Sequence, residues 1–170
     1  MEAAIELQKS WRSQRWPANG EQAVALAERA GLLVLGIGGR RLCVATQGPG
    51  EVLKLAWQPG GVADNVLEAR LWQWASPELR RLLCPVIGLT GEQILRQVRC
   101  RPAAAEALGA RGRALCAQLA RHGISDCSVN LGLLADPEAE GGWRVVCYDF
   151  GLVRPELGMQ LLSDGLRVRD

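Results

Sequence analysis

Apolar and polar positions change their period several times along the chain, and each change predicts an element. Residues 2–30 follow a helical spacing interrupted at Pro17-Ala18-Asn19-Gly20. In the second half Ala23, Leu26, Ala27 and Ala30 share one face, and Gly31 stops the run. From Leu32 the pattern shortens to strands: LLVLGIGG running into glycines, RRLCVATQ followed by a turn at Gly48-Pro49-Gly50, then EVLKLAW. Three short strands with tight links predict an antiparallel meander. A helix is expected over 64–75, with Val66, Leu67, Leu71 and Trp74 along one side and Ser76-Pro77 near its end. Strands are expected over 82–89 and 93–98, joined at Thr90-Gly91, and the longest helix over 103–121, ended by His122-Gly123. Gly109 and Gly112 weaken that helix by up to ~1 kcal/mol each relative to Ala, so packing must hold it. A loop, ISDCSVN, then leads into the strand LGLLA, an acidic turn over 136–142 and the strand WRVVCYDFG. The fold class this order predicts is α+β, a small antiparallel sheet with one helix followed by a mainly helical part.

Composition narrows the classes. At 170 residues, 48% hydrophobic and 22% charged, the chain can bury a core without disulfides or metal. A net charge of +2 gives no argument for nucleic acid or an anionic membrane. The longest apolar run, 31–39, falls far short of the ~20 residues that span a bilayer. The opening MEAAIELQKSWRSQRW lacks the pattern of a secretion signal, and the six cysteines contain no CxxC pair. The expected location is therefore cytoplasmic, with reduced thiols. Within the basic residues the split is uneven: eighteen Arg but only two Lys, Lys9 and Lys54, beside a single His (His122), a single Tyr (Tyr148) and a single Phe (Phe150).

That scarcity draws attention to Lys54, inside the apolar strand Val52-Leu53-Lys54-Leu55-Ala56. Alternation puts it on the face opposite Leu53 and Leu55, where a solvent-facing lysine is the simplest account. A compact ammonium also suits a phosphate, and Gly36-Ile37-Gly38-Gly39 lies one hairpin upstream, where glycines let backbone N–H groups approach an anion. Glu68 follows mid-helix, a surface residue beside Arg70 or Arg80, or a partner for the lysine. His122 to Leu131 holds the His, Asp126 and Asn130 in a loop entering a strand, positions that often serve only to satisfy turn backbone. Val145 to Gly151 is an apolar strand ending in Asp149, and a carboxylate there suits Mg²⁺, which needs one or two protein oxygens.

In this order the motifs resemble those of the protein-kinase-like fold over residues 32–153. Gly36, Gly38 and Gly39 with Val44 are similar to the glycine-rich loop, Val52-Leu53-Lys54 to the lysine strand, and Glu68 to its helix partner. His122 to Asn130 resembles the catalytic loop, and Asp149-Phe150-Gly151 the metal-binding triplet. The resemblance implies an N-lobe over 32–100, a truncated C-lobe over 101–170 and a helical extension over 1–31. It implies that Lys54 holds ATP phosphates, that Glu68 holds Lys54, and that Asn130 and Asp149 bind Mg²⁺. Asp126 would orient or deprotonate the acceptor hydroxyl, and adenine would meet the backbone near 97–101, beside Val98 and Cys100. Two departures accompany it. Asp126 precedes Asn130 by four positions where the family has five, Ser125 standing at the fifth. Nineteen residues after Gly151 are too few for a peptide-docking segment.

The expected function is therefore an ATP- and Mg²⁺-dependent phosphotransferase of minimal, bacterial kinase-like type. Its acceptor is a small molecule or sugar, or one dedicated protein. The alternative is a pseudokinase, nucleotide-binding or empty, that regulates a partner. A third reading is an interaction protein docking through Trp11, Trp16, Trp72 and Trp74, and a homodimer or partner protein would cover any apolar surface that a truncated lobe leaves bare.

Overall fold

Two helices precede the first strand, and the break between them has a local cause. Helix α1 (Glu2–Ser13) stops before Pro17, which cannot continue a helix. Helix α2 (Gly20–Arg29) is started by Asn19, whose side-chain oxygen accepts the Gln22 amide at 2.9 Å. Gly31, at φ +76°, closes α2 by letting the Leu32 N–H return to the Ala27 carbonyl at 3.0 Å. The computed structural model describes residues 1–48, 50–124 and 130–150. The chain is α+β and divides into two units, Met1–Ala69 with Val86–Arg99, and Arg70–Pro85 with Cys100–Asp170.

The first unit holds α1, α2 and a five-stranded antiparallel sheet. Its strands are β1 (Val34–Ile37), β2 (Arg41–Ala45), β3 (Glu51–Ala56), β4 (Val86–Leu89) and β5 (Leu95–Val98), in spatial order β1-β2-β3-β5-β4. The meander β1-β2-β3 forms as its short links dictate. Period-2 alternation sends Leu42, Val44, Leu53 and Leu55 to one face, where they pack with Ala4, Trp11, Ala23, Ala27, Trp57 and Ile94. Each large apolar side chain buried there contributes roughly 1.5–3 kcal/mol. Trp11 is buried in this cluster and Trp16 packs half-buried against it. Gln8 of α1 ties the helix to the sheet. Its amide nitrogen donates to the Ala56 carbonyl at 2.9 Å, and its oxygen accepts the Ala56 N–H at 2.8 Å.

Helix α3 (Pro59–Trp74) begins five residues before the expected 64, and the division between the units falls inside it. Its first turn lies directly on β2: a Cβ added to Gly61 would sit 2.5 Å from the Arg40 carbonyl oxygen. The buried positions of that end are Gly61, Asn65, Glu68 and Ala69; of the expected apolar stripe Leu71 is buried, Val66 and Leu67 are half-buried and Trp74 is 56% exposed.

The strand expected over 82–89 is shorter, only its part from Val86 on forming β4 of the first unit. Residues Pro77–Leu82 form α4, because Ser76 caps its first turn by accepting the Leu79 N–H at 3.2 Å and Pro77 sits where no amide is required. Helix α5 (Ala105–Arg121) breaks at Gly109, whose φ of 56° and ψ of −130° are not helical, and His122 caps its C-terminus. Strands β6 (Arg101–Pro102), β7 (Leu131–Ala135) and β8 (Trp143–Cys147) form an antiparallel sheet in that order. Among the described residues no helix is long and apolar enough to cross a membrane.

Candidate functional site

The site in the first unit is built on the face of the sheet opposite the apolar cluster. Register sets its members: Lys54 of β3 stands opposite Cys43 of β2 on one side and Leu95 of β5 on the other, and Arg41 stands opposite Ala56. Residues two apart share a face, so Arg41, Cys43, Val52, Lys54, Leu95 and Gln97 line it together. Lys54 is not a solvent-facing lysine; only 6% of it is exposed. Its Nζ lies 2.9 Å from Oε2 of Glu68, itself fully buried. Glu68 is therefore not the surface glutamate that its position mid-helix beside Arg70 suggested. Its second oxygen, Oε1, lies 2.6 Å from Nη1 of Arg41, which is 8% exposed.

Asn65 completes the arrangement one turn before Glu68. Its Oδ1 accepts from Arg41 Nη1 at 3.3 Å, while its Nδ2 donates to the carbonyls of Lys54 at 2.8 Å and Gln93 at 2.9 Å. Withdrawing three charges from water is costly unless they are paired and hydrogen-bonded. Here one carboxylate is shared by two cations, and the amide of Asn65 links the cation on β2 to the backbone of β3. Such an arrangement holds the Lys54 ammonium at a fixed position.

The glycine cluster lies at the β1–β2 turn. Gly38 donates its N–H to the Arg41 carbonyl at 2.9 Å, and its own carbonyl accepts the Trp57 indole N–H at 3.1 Å. An added Cβ at Gly36 or Gly39 would meet nothing within 4 Å, so the backbone there is open to approach. Val44 is placed otherwise than the resemblance implies. It pairs with Leu53 and is fully buried in the apolar cluster, on the face opposite Lys54. The β2 residue that does share the face and stands opposite Lys54 is Cys43. Val98 ends β5 half-buried in the first unit, and Cys100 is half-buried in the second, where a Cβ added to Gly132 would lie 2.8 Å from its Sγ.

In the second unit the β7–β8 hairpin brings two further residues to one end. Leu131 pairs with Cys147, so Asn130 stands just before β7 and Asp149 just after β8; the Tyr148 N–H donates to the Asn130 carbonyl at 2.9 Å. Both residues are half-buried, and Phe150 beside them is fully buried. Asp126 and Gly151 lie outside the described residues. Among the described residues no group of three or more His, Cys, Asp or Glu side chains could hold a metal ion. An Asn oxygen and one carboxylate are a different kind of donor set, hard oxygens of the sort Mg²⁺ takes one or two at a time.

Arg41 and Asn65 are the residues that sequence reasoning passed over. One signal was present: Asn65 and Glu68 are three apart on a helix, hence on one face with Gly61, and that face carries no apolar residue at those positions. No protein-family model, curated protein or solved structure matches this chain.

Proposed function

We propose that the chain is a minimal protein-kinase-like phosphotransferase that uses ATP and Mg²⁺. Its acceptor is a small molecule or sugar, or a single dedicated protein. The observation that carries this reading is the buried Lys54–Glu68 pair at 2.9 Å, with the lysine on the third strand of an antiparallel meander and the glutamate on the helix that follows. A lysine so held is a fixed point charge for phosphate, and its carboxylate partner sets where that charge stands. The order of the second unit supports the same reading: Asn130, a two-stranded hairpin, then Asp149.

In this reading Lys54 binds the α- and β-phosphates and Glu68 orients Lys54. Asn130 and Asp149 supply oxygen ligands to Mg²⁺, a cation that neutralises charge on the transferring phosphate. Asp126 orients or deprotonates the acceptor hydroxyl. Adenine meets backbone beside Val98 and Cys100.

Thermal unfolding with ATP, with and without Mg²⁺, tests the proposal. Ligand at 100 times its Kd stabilises a single site by about 2.7 kcal/mol, or about 5–11 °C for a chain of this size. The expected result is a Mg²⁺-dependent shift that Lys54→Met removes and that Asp149→Asn makes indifferent to the metal. No shift in the wild type sinks the nucleotide reading.

The pseudokinase reading is favoured by one observation, the spacing of Asp126 four rather than five positions before Asn130. It predicts the same nucleotide shift, or none, without turnover of ATP in the presence of any acceptor.

A further inference from the structure

The Lys54–Glu68 pair is embedded in a larger network, and its outer members have no part in the reading given above. Arg41 reaches Glu68 at 2.6 Å and Asn65 at 3.3 Å with the same nitrogen, Nη1. Asn65 in turn grips two carbonyls, Lys54 on β3 and Gln93 in the β4–β5 turn. Gln93 is held at φ +59°, a conformation non-glycine residues rarely adopt, and its carbonyl is the one Asn65 binds. These bonds tie one helix to β2, to β3 and to a turn, all within the first unit, and every side chain in them is at least nine-tenths buried. Gly61 on the same stripe removes the side chain that would otherwise hold α3 away from the Arg40 backbone.

We infer that Arg41 and Asn65 are positioning residues that lock α3 against the sheet, so that Glu68 meets Lys54 in the resting protein without help from a partner or a modification. Asn65 sets the height of the helix through backbone carbonyls, which no side-chain rearrangement can move. Arg41 occupies the carboxylate oxygen that Lys54 does not use. When Lys54 turns to a phosphate, Glu68 keeps a cation and the helix keeps its place. The clamp deepens the proposed function and rests on it for its purpose, although its existence as a clamp can be tested alone.

The chain has only two lysines, which makes the test direct. Lys9 is exposed on α1 and serves as the internal reference, whereas the Lys54 side chain is 7% exposed. The full chain is labelled briefly with acetic anhydride, and the ratio of Lys54 to Lys9 acetylation is read by mass spectrometry. Glu68→Gln sets the ratio for a lysine that has lost the Glu68 carboxylate. If the clamp positions α3, Arg41→Met and Asn65→Ala each raise the ratio roughly tenfold toward that value, the equilibrium worth of one charge-assisted hydrogen bond. Arg41→Lys, which keeps a cation on Glu68 but cannot hold Asn65 as well, falls between.

Leu55→Ala, in the apolar cluster on the other face, supplies the control for general loosening. Its ratio stays at the wild-type value under the proposal. An equal rise in Leu55→Ala, or no rise in both Arg41→Met and Asn65→Ala, overturns the proposal. Should Arg41→Met not fold, Asn65→Ala carries the decision, because it removes no charge. Addition of Mg²⁺ and ATP to the wild type reports separately on the nucleotide reading. Failure to protect Lys54 counts against that reading alone, and the clamp stands or falls on the variants.

Discussion

Glu68→Gln and Lys54→Met remove the two ends of the same ion pair, yet the structure predicts very different costs. Among the described residues the Glu68 carboxylate is met by two cations, with side-chain exposures of 9% for Arg41, 7% for Lys54 and 0% for Glu68. Lys54→Met takes away one of these cations and leaves Glu68 paired with Arg41 at 2.6 Å. The loss is one charge-assisted hydrogen bond, about 1.5–3 kcal/mol, offset in part because an ammonium no longer has to be withdrawn from water, so the net cost is about 0–2 kcal/mol. Glu68→Gln keeps both cations desolvated and removes the charge they share. Breaking a buried pair in that way costs about 3–5 kcal/mol, which lowers Tm by about 6–20 °C for a chain of this length.

Urea unfolding followed by circular dichroism measures both variants, and equal slopes against urea confirm that the comparison is of stability alone. Nucleotide affinity is expected to rank them the other way, with Lys54→Met losing the phosphate ligand and Glu68→Gln only its orientation. A Lys54→Met variant as unstable as Glu68→Gln would refute the reasoning, since it would mean that Arg41 does not share the carboxylate.

Three further outcomes are expected. Asp126→Ala should retain nucleotide binding and lower turnover by at least ~10²-fold, the usual loss of a general base; an unchanged rate removes Asp126 from that role. Gly61→Val should destabilise by about 1–3 kcal/mol by overpacking α3 on the Arg40 carbonyl, and a neutral urea midpoint would contradict that close approach. Ser76→Ala should cost about 1 kcal/mol through the lost α4 cap. The Glu78 carboxyl is held below its ordinary value of 4.5 by its own backbone N–H and then by the Ser76 hydroxyl. Its contribution is therefore complete above that value and is lost as pH falls through the lowered one. NMR titration of Glu78 should move back toward 4.5 in Ser76→Ala, and no movement would exclude the hydroxyl as a cause.

Much of this chain is readable from local pattern. Pro17 and Asn19 separate two helices, short apolar runs between glycines become β1 to β3, and His122-Gly123 ends α5, because caps, breakers and period depend on neighbours a few residues away. The same local reading extends 82–89 as a strand too far back, since Leu82 ends α4 and Pro85, with no N–H for a ladder, stands just before β4. It also leaves Trp74 on an apolar stripe, when that end of α3 exposes it. Val44 and Lys54 illustrate the limit most plainly. Alternation determines that neighbouring strand residues face opposite ways, but not which residue of β2 stands opposite Lys54; register does that, and the residue is Cys43. Spacing placed Asn65 on one helix face with Glu68 but could not join either to Arg41, because Arg41 and Asn65 lie 24 residues apart in sequence. The rarity of lysine singled out Lys54 without any structure. That it is buried was decided by the packing of α3, because an ammonium leaves water only where a carboxylate is brought to meet it.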